Sequence, residues 1–217
     1  MSAANPYLGA YPWLASRSGV WREIVRHVQH DARGARTVVE LGAGYCDFIN
    51  QFPALRKLAF DCNPDMARFA APDVEMTIGD CSELPGVETS SVDLVFASNF
   101  LEHFDSAGVS LILANASRVL RPSGRLILLQ PNHRRCQAHY FDDPTHVTIF
   151  DDRNLPGFLA PHGLRVVKLV PGLLPFSMKS RLPRWPLLVR IYLASPIRPM
   201  AAQMYVVAER SRPCGVG

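Results

Sequence analysis

A short apolar run followed by two closely spaced glycines constrains the fold most. Val38, Val39 and Leu41 form a run rich in β-branched residues that is too short for a helix and predicts a buried strand. Gly42 and Gly44 follow at once. Because they lack a Cβ, the backbone can turn sharply there and a ligand can approach it closely. A strand leading into a glycine turn is typical of the nucleotide-binding edge of an open α/β sheet.

Two acidic residues bear on which nucleotide would bind. A dinucleotide fingerprint has a third glycine where this chain has Asp47, whose carboxylate would repel a pyrophosphate. Glu40, inside the strand, is also unusual for a dinucleotide site. An NAD-dependent oxidoreductase is therefore disfavoured but stays an alternative, as does an ordinary strand-to-helix turn.

The pattern Glu-x-Gly-x-Gly resembles the first motif of the class I S-adenosylmethionine (SAM) methyltransferases. The third glycine of that motif is replaced here by Cys46. The resemblance implies that the methionine half of SAM, or of the product S-adenosylhomocysteine, is held by Glu40, Gly42, Ala43, Gly44 and Tyr45.

Acids at two further predicted strand ends extend the resemblance. It implies that Asp61, which lies 21 residues after Glu40, binds the ribose hydroxyls. Asp80 and Cys81 would meet the adenine, and Ser98 would border the methyl donor. We expect the three cysteines at these turns to cluster as small wall residues of the adenosine pocket: Cys46, Cys62 and Cys81.

The order of the motifs makes the resemblance more specific. The buried run 91–100 leads into Leu-Glu-His at 101–103, as in the type 11 group of small-molecule methyltransferases. A Leu-Arg-Pro-x-Gly-x-Leu-Ile run follows at 120–127, and together the motifs cover roughly residues 36–131. The fold implied is α/β: a Rossmann-like, seven-stranded, mostly parallel sheet in the order 3-2-1-4-5-7-6, with the last strand antiparallel and helices on its flanks. Periodicity and Pro/Gly breaks predict helices over 21–30, 48–52, 110–120, 151–162 and 186–194, and the last two strands over 164–170 and 203–209.

The loop after the fifth strand supplies candidate catalytic residues. Histidine can take a proton near neutral pH, and a carboxylate can orient it, so Asp143 with His146 could form a base. As an alternative, His146 only holds the loop in place through a hydrogen bond. His103 is a second candidate for the catalytic base or a substrate contact. The spacing of His133, His139 and His146 fits no common zinc site, and we expect no metal.

Composition bounds the remaining choices. The chain has 217 residues, which suits a single domain over 1–217, and its five cysteines form no Cys-x-x-Cys pair. We expect a cytoplasmic protein, since the sequence contains neither a signal peptide nor a long apolar span. Residues 1–120 carry a formal charge of −5 and residues 121–217 of +9. The basic half invites an anionic or membrane partner, whereas no RNA-binding module is recognisable, so nucleic acid is not expected.

An insert at about 171–202, between the last two strands, interleaves apolar residues with arginines. Such a composition suits peripheral membrane contact through 176–199 or a lipid-linked acceptor. A cap over the site or a homodimer surface is the alternative. The function predicted is methyl transfer from SAM to a small-molecule, sugar or lipid-linked acceptor, with O-methylation as the first choice. A SAM-binding protein without catalysis stays an alternative. An RNA methyltransferase is another, although no Asn/Asp-Pro-Pro-Tyr-type motif of the kind that methylates base amino groups follows the fourth strand.

Overall fold

A seven-stranded mixed sheet forms the centre of the protein in a computed structural model, which describes residues 14, 16–175 and 185–211. The strand order is β3-β2-β1-β4-β5-β7-β6. Strands β3, β2, β1, β4 and β5 pair in parallel, and β7 runs antiparallel to both β5 and β6. The predicted fold class is confirmed. The strands are β1 (Thr37–Leu41), β2 (Arg56–Asp61), β3 (Val74–Ile78), β4 (Val92–Ser98), β5 (Leu120–Pro131), β6 (Leu164–Pro175) and β7 (Ala201–Arg210).

Helices cover both faces of the sheet. They are α1 (Ser16–Ala32), α2 (Ser106–Val119), the short α3 (His133–Cys136) and α4 (Leu155–Leu159), and α5 (Pro186–Ala194). The buried side of α1, with Ile24 and Val28, packs with Val38 and Phe96 on one face. On the other face, residues of α2 and α4 pack with Val39 and its neighbours. This double cover explains why the central strands read as continuous apolar runs.

The predicted helix over 48–52 is wrong, because this segment is a series of turns. The amides of Asn50 and Phe52 make helix-type bonds to the carbonyls four residues before them, but the amide of Gln51 bonds the carbonyl of Phe48, so the helical pattern is not continuous. The amide of Ile49 donates to the carboxylate of Glu40, with an N–Oε2 distance of 3.0 Å, which ties this segment to β1.

The insert between β6 and β7 is shorter than predicted, since β6 continues to Pro175 and β7 begins at Ala201. Its predicted helix, Pro186–Ala194, is confirmed as α5. The predictions for 176–184 lie outside the described residues.

Helix α5 packs against α1. A Cβ on Gly19 would lie 3.0 Å from Cγ of Pro186, and the guanidinium of Arg190 bonds the buried carboxylate of Glu23 at 2.9 Å. Six large apolar residues in and around α5 are exposed: Trp185, Leu187, Leu188, Ile191, Ile197 and Met200. Across the described ranges, no helix combines the length and apolarity that a membrane crossing requires.

Candidate functional site

The carboxyl ends of the parallel strands bring the sequence-predicted cofactor residues to one edge of the sheet. β1 ends at the glycine turn, β2 ends at Asp61, and β4 ends at Ser98. The turn after β3 adds Asp80 at the same edge. Because this edge of an open α/β sheet is where nucleotides bind, the strands themselves position the site.

The glycine turn is tightly enclosed by a phenylalanine. Gly42 and Gly44 have φ angles of +63° and +50°, in the region that glycine adopts without strain. A Cβ at Gly42 would lie only 2.5 Å from Cδ2 of Phe100. The amide of Ala43 donates to the carbonyl of Phe60 at 3.0 Å, which ties the turn to β2. Only glycine fits at position 42 without displacing the ring.

Glu40 is buried beneath this turn and holds its far side through the bond to the Ile49 amide. Burial raises the pKa of its carboxyl well above the ordinary value, and the nearby carboxylates of Asp47 and Asp61 act in the same direction. Glu40 is thus placed to fix the loop rather than to face solvent.

Asp61 braces the glycine turn from β2. Its Oδ2 accepts the amide proton of Gly44 at 2.7 Å, and its Oδ1 accepts that of Asn63 at 2.8 Å. The side chain is buried at the edge of the sheet. A carboxylate offers about four acceptor positions, so two amide bonds leave capacity for hydroxyl groups of a ligand.

Asp80 and two cysteines line the neighbouring strand ends. Asp80 is exposed, and its Oδ1 accepts the amide proton of Ser82 at 2.8 Å, which lowers the pKa of that carboxyl. Cys62 is exposed and Cys81 is buried, and burial raises the pKa of the Cys81 thiol to about 12. The expected cluster of three cysteines is wrong, because Cys46 is buried in the core on the opposite face of the sheet from Cys81.

Asp47 is not the bare negative charge that the sequence suggested. Arg17 of α1 bonds its carboxylate at 2.7 Å, and both side chains are largely buried. The same guanidinium lies 5.1 Å from the centre of the Tyr45 ring. Burial raises the pKa of Asp47, and Arg17 opposes that shift. Repulsion of a pyrophosphate by Asp47 is therefore a weaker argument than it was from sequence.

A second group of polar side chains follows β4. Glu102 is fully buried, and its Oε2 accepts a hydrogen bond from Nε2 of Gln130 at 3.0 Å. Burial raises the pKa of Glu102 to about 8. Its other oxygen, Oε1, is buried and has no hydrogen-bond partner among the residues that the structure describes.

His146 faces this carboxylate. Its Nδ1 lies 2.5 Å from the carbonyl oxygen of Tyr140, which can only accept a proton, so Nδ1 is the donor. In the neutral ring Nε2 then carries the lone pair, and it lies 3.9 Å from Oε1 of Glu102. Backbone hydrogen bonds hold the His146 loop against Glu102, because the amides of Val147 and Thr148 donate to the carbonyl of Glu102.

His103 completes the group. The Thr145 hydroxyl donates to Oδ1 of Asp143 at 2.5 Å, so Nδ1 of His103 donates to the Thr145 oxygen, 2.9 Å away. Burial lowers the pKa of His103, as does nearby His146, while the carbonyls of Thr145 and Asn99 oppose the shift. Asp143 thus connects through Thr145 to His103, and Glu102 also presents a carboxyl oxygen to His146.

Comparisons with known proteins agree with this geometry. The family model for a methyltransferase domain, of the type 11 group, matches residues 39–128. The chain is 37% identical over 111 residues to a malonyl-[acyl-carrier protein] O-methyltransferase from Hahella chejuensis, a match over 46% of this chain and 39% of that protein. It is 32% identical over 123 residues to an uncharacterised 37.1 kDa protein of transposon Tn4556 from Streptomyces fradiae, over 52% and 35% of the two lengths. The chain thus spans well under half the length of these curated relatives.

Solved structures share the architecture. A SAM-dependent methyltransferase from Thermotoga maritima, described as a possible histamine N-methyltransferase, aligns with a TM-score of 0.71 over 95% of this chain and 97% of that one, at 18% identity. The fold is that of the class I SAM-dependent methyltransferases, and residues 39–128 match the methyltransferase-domain family.

The cofactor of this methyltransferase family fits the described edge. SAM carries a sulfonium cation and two ribose hydroxyls, and the edge offers the carboxylates of Asp61 and Asp80, while buried Glu40 fixes the turn beneath them. The missing Cβ of Gly42 lets the backbone approach a ligand closely. An acidic edge of this kind suits a cation better than it suits a pyrophosphate.

Sequence reasoning missed Glu102 as a member of this polar group. The signal was present, since Glu102 lies within the Leu-Glu-His motif beside His103. Its proximity to His146 could not be read from the chain, because 43 residues separate the two and the loop that joins them has no repeating pattern.

Proposed function

We propose that this protein transfers the methyl group of SAM to an acceptor oxygen by in-line displacement. The observation that carries the proposal is that Phe100 connects the glycine turn to the Glu102 group. Its ring lies against Gly42, and its amide donates to Oε1 of Gln130, whose Nε2 donates to Glu102. The sulfonium donor is already activated, so holding the acceptor in line supplies much of the rate. Residues 1–217 are proposed to form one catalytic domain.

The cofactor would be held along the sheet edge. Asp61 would accept the ribose hydroxyls while it braces Gly44, which links ribose binding to the shape of the turn. Asp80, with the cysteines beside it, would lie at the adenine. The methionine half would lie on the turn, with Ser98 near the methyl group. The residues proposed for the cofactor are Glu40, Gly42, Ala43, Gly44, Tyr45, Asp61, Cys62, Asp80, Cys81 and Ser98.

The acceptor oxygen is proposed to meet the histidine side of the site. His146, with His103 and the Asp143–Thr145 pair behind it, would promote loss of the acceptor proton. An imidazole can do so as the base itself or as a ligand of a cation that acidifies the hydroxyl. The malonyl-[acyl-carrier protein] relative is named as an O-methyltransferase, which favours an oxygen acceptor.

Two variants test this division of the site. We expect Asp61→Ala to weaken S-adenosylhomocysteine binding by about 1–3 kcal/mol, since it removes a charged hydrogen-bond acceptor. Asp65→Ala, an exposed carboxylate four residues later, is the matched control. We expect His146→Ala to abolish turnover and to retain cofactor binding, whereas the exposed His139→Ala should retain both. Cofactor binding by the native protein without turnover on any acceptor would favour the non-catalytic alternative.

The class of acceptor is proposed from the exposed apolar surface around α5. Trp185 and Ile197 are 73% and 80% exposed, with Leu187 and Ile191 between them. Single exposed apolar residues are ordinary, but several along one short segment favour a lipid or another amphipathic partner. Arg190 contributes little to such a surface, because Glu23 neutralises it. We therefore propose a lipid-linked acceptor and contact that depends mainly on apolar burial.

Vesicle flotation tests the acceptor class. We expect the protein to float with phospholipid vesicles, and Leu187→Asp with Ile191→Asp to abolish flotation. Leu111→Asp, an exposed apolar position on α2, is the control and should leave flotation unchanged. Loss of a dimer in the double variant, without flotation of the native protein, would assign the surface to self-association instead.

A further inference from the structure

Three side chains from two separate segments bring potential metal ligands together. Glu102 and His103 follow β4, and His146 comes from the loop after α3. One ligand atom from each side chain lies within 4.8 Å of the others. The prediction that no metal binds was based on the spacing of His133, His139 and His146, and it did not consider this combination.

Glu102 carries the observation that points to a ligand. Its side chain is fully buried, yet Oε1 has no hydrogen-bond partner within the described part of the chain. Leaving a buried polar atom without a hydrogen-bond partner is energetically unfavourable. Oε1 is directed at Nε2 of His146, but 3.9 Å is too long for a hydrogen bond between them. Something that bonds both atoms would satisfy the carboxylate.

The outer contacts of the two imidazoles resemble those of metal-ligating histidines. A histidine that binds a metal through one nitrogen usually donates the other N–H to a carbonyl, carboxylate or hydroxyl group. His146 donates Nδ1–H to the carbonyl of Tyr140, and His103 donates Nδ1–H to Thr145, which is itself held by Asp143. Gln130 holds the second oxygen of Glu102. Each ligand is therefore oriented by a neighbour.

We propose that Glu102, His103 and His146 bind one divalent transition-metal cation, with Zn²⁺ as the representative ion. Two imidazoles and one carboxylate are a ligand set suited to Zn²⁺ and its neighbours, whereas Mg²⁺ and Ca²⁺ prefer oxygen ligands. Bond lengths of about 2.0–2.2 Å in a tetrahedral site separate ligand atoms by roughly 3.4 Å. Side-chain rotations that move the ligand atoms of Glu102, His103 and His146 about 0.5–1.5 Å closer together would reach that separation.

Three protein ligands leave one position of a tetrahedral ion open. This step rests on the proposed function: the acceptor oxygen would occupy that position, beside Phe100 and the glycine turn. A cation there lowers the pKa of a bound hydroxyl and fixes its direction of attack. The site would select acceptors with an oxygen that can ligate a metal, such as a hydroxyl with an adjacent oxygen.

Metal binding is tested without any acceptor. Purified protein is treated with a chelator, dialysed and titrated calorimetrically with Zn²⁺, and Co²⁺ is added in parallel to record its visible absorption. We expect one ion per chain and the intense Co²⁺ bands of a four-coordinate site. Glu102→Gln keeps an oxygen acceptor for Gln130 and removes the carboxylate that would ligate the ion. Glu102→Gln and His146→Ala should each lower Zn²⁺ affinity at least 100-fold. His139→Ala, outside the group, should bind like the native protein.

The outcomes separate this inference from the proposed function. S-adenosylhomocysteine binding and the melting temperature of each variant report whether the fold and the cofactor edge remain intact. Failure of the native protein to bind Zn²⁺ and Co²⁺, or binding that persists in Glu102→Gln and His146→Ala, would overturn the metal site. Methyl transfer that continues in excess chelator would overturn its part in the reaction, yet leave methyltransferase function standing.

Discussion

Replacement of Gly42 by alanine tests the closest contact at the cofactor edge. The new Cβ would lie 2.5 Å from Cδ2 of Phe100 and 3.1 Å from Cε2, so the ring or the turn must move. Phe100 is buried and its ring centre is 4.9 Å from that of Phe104, which leaves little room for a shift. The φ angle of +63° adds backbone strain for any residue with a Cβ.

The magnitude follows from these two effects. The left-handed backbone costs alanine about 1–2 kcal/mol, and the reduced freedom of the unfolded chain returns about 0.4–1 kcal/mol. Forcing a methyl group into a packed contact costs a further 1–3 kcal/mol or so. We expect Gly42→Ala to lower the free energy of unfolding by about 2–4 kcal/mol and to weaken S-adenosylhomocysteine binding at least 10-fold.

A second glycine isolates the contact. Gly163 ends the 3₁₀ helix Ala160–His162 with a φ of +68°, and a Cβ there would meet nothing within 4 Å. Gly163→Ala should therefore cost only the backbone effect, about 1 kcal/mol or less, and leave cofactor binding unchanged. Urea denaturation and calorimetric titration of both variants measure the difference. Equal destabilisation by the two substitutions, with cofactor affinity retained in Gly42→Ala, would refute the close approach of Phe100.

Three further predictions concern the surrounding structure. Burial lowers the pKa of His27 below 6.5, and its Nε2 lacks a partner among described residues. As the pH falls, the unfolded chain therefore gains a proton first, and the free energy of unfolding decreases below about pH 6.5. His27→Phe should reduce the pH dependence of the free energy of unfolding, measured with urea between about pH 8 and pH 5.5, and an unchanged dependence would contradict this. Arg17→Gln should cost about 2–4 kcal/mol by leaving Asp47 buried without its cation, and Asp47→Asn should restore most of it; additive losses would count against the pair. Cys46→Gly should change the free energy of unfolding by under about 1 kcal/mol, because relief of backbone strain at a φ of +54° offsets the lost burial. The same change at buried Cys136, which has a φ of −136°, should lower the free energy of unfolding more, and equal losses at the two positions would contradict the strain argument.

Local patterns account for what the sequence predicted well. The β1–glycine turn is encoded within a few residues, and helix α5 begins at Pro186 as predicted from the proline spacing. The strand order followed from the resemblance of successive motifs rather than from any single strand. These features depend on neighbours in the chain, which a sequence displays directly.

Contacts between distant residues account for the errors. The turn after Gly44 looked helical, but the amide of Ile49 is held by Glu40, buried in the preceding strand. The charge of Asp47 looked unopposed until α1 placed Arg17 beside it. The contact between Glu102 and His146 likewise forms only when the loop that carries His146 folds against the residues after β4. Such pairings depend on tertiary geometry, and no local pattern specifies them.

Calorimetric titration of the native protein with S-adenosylhomocysteine, with NAD⁺ as the comparison ligand, tests the assignment most directly. The proposed function predicts that S-adenosylhomocysteine binds at one site per chain and that NAD⁺ produces no binding heat. Asp61→Ala should weaken the first interaction, since its carboxylate braces Gly44 at the proposed ribose site. Binding of NAD⁺ in place of S-adenosylhomocysteine would contradict the account, and so would S-adenosylhomocysteine affinity that is unchanged in Asp61→Ala.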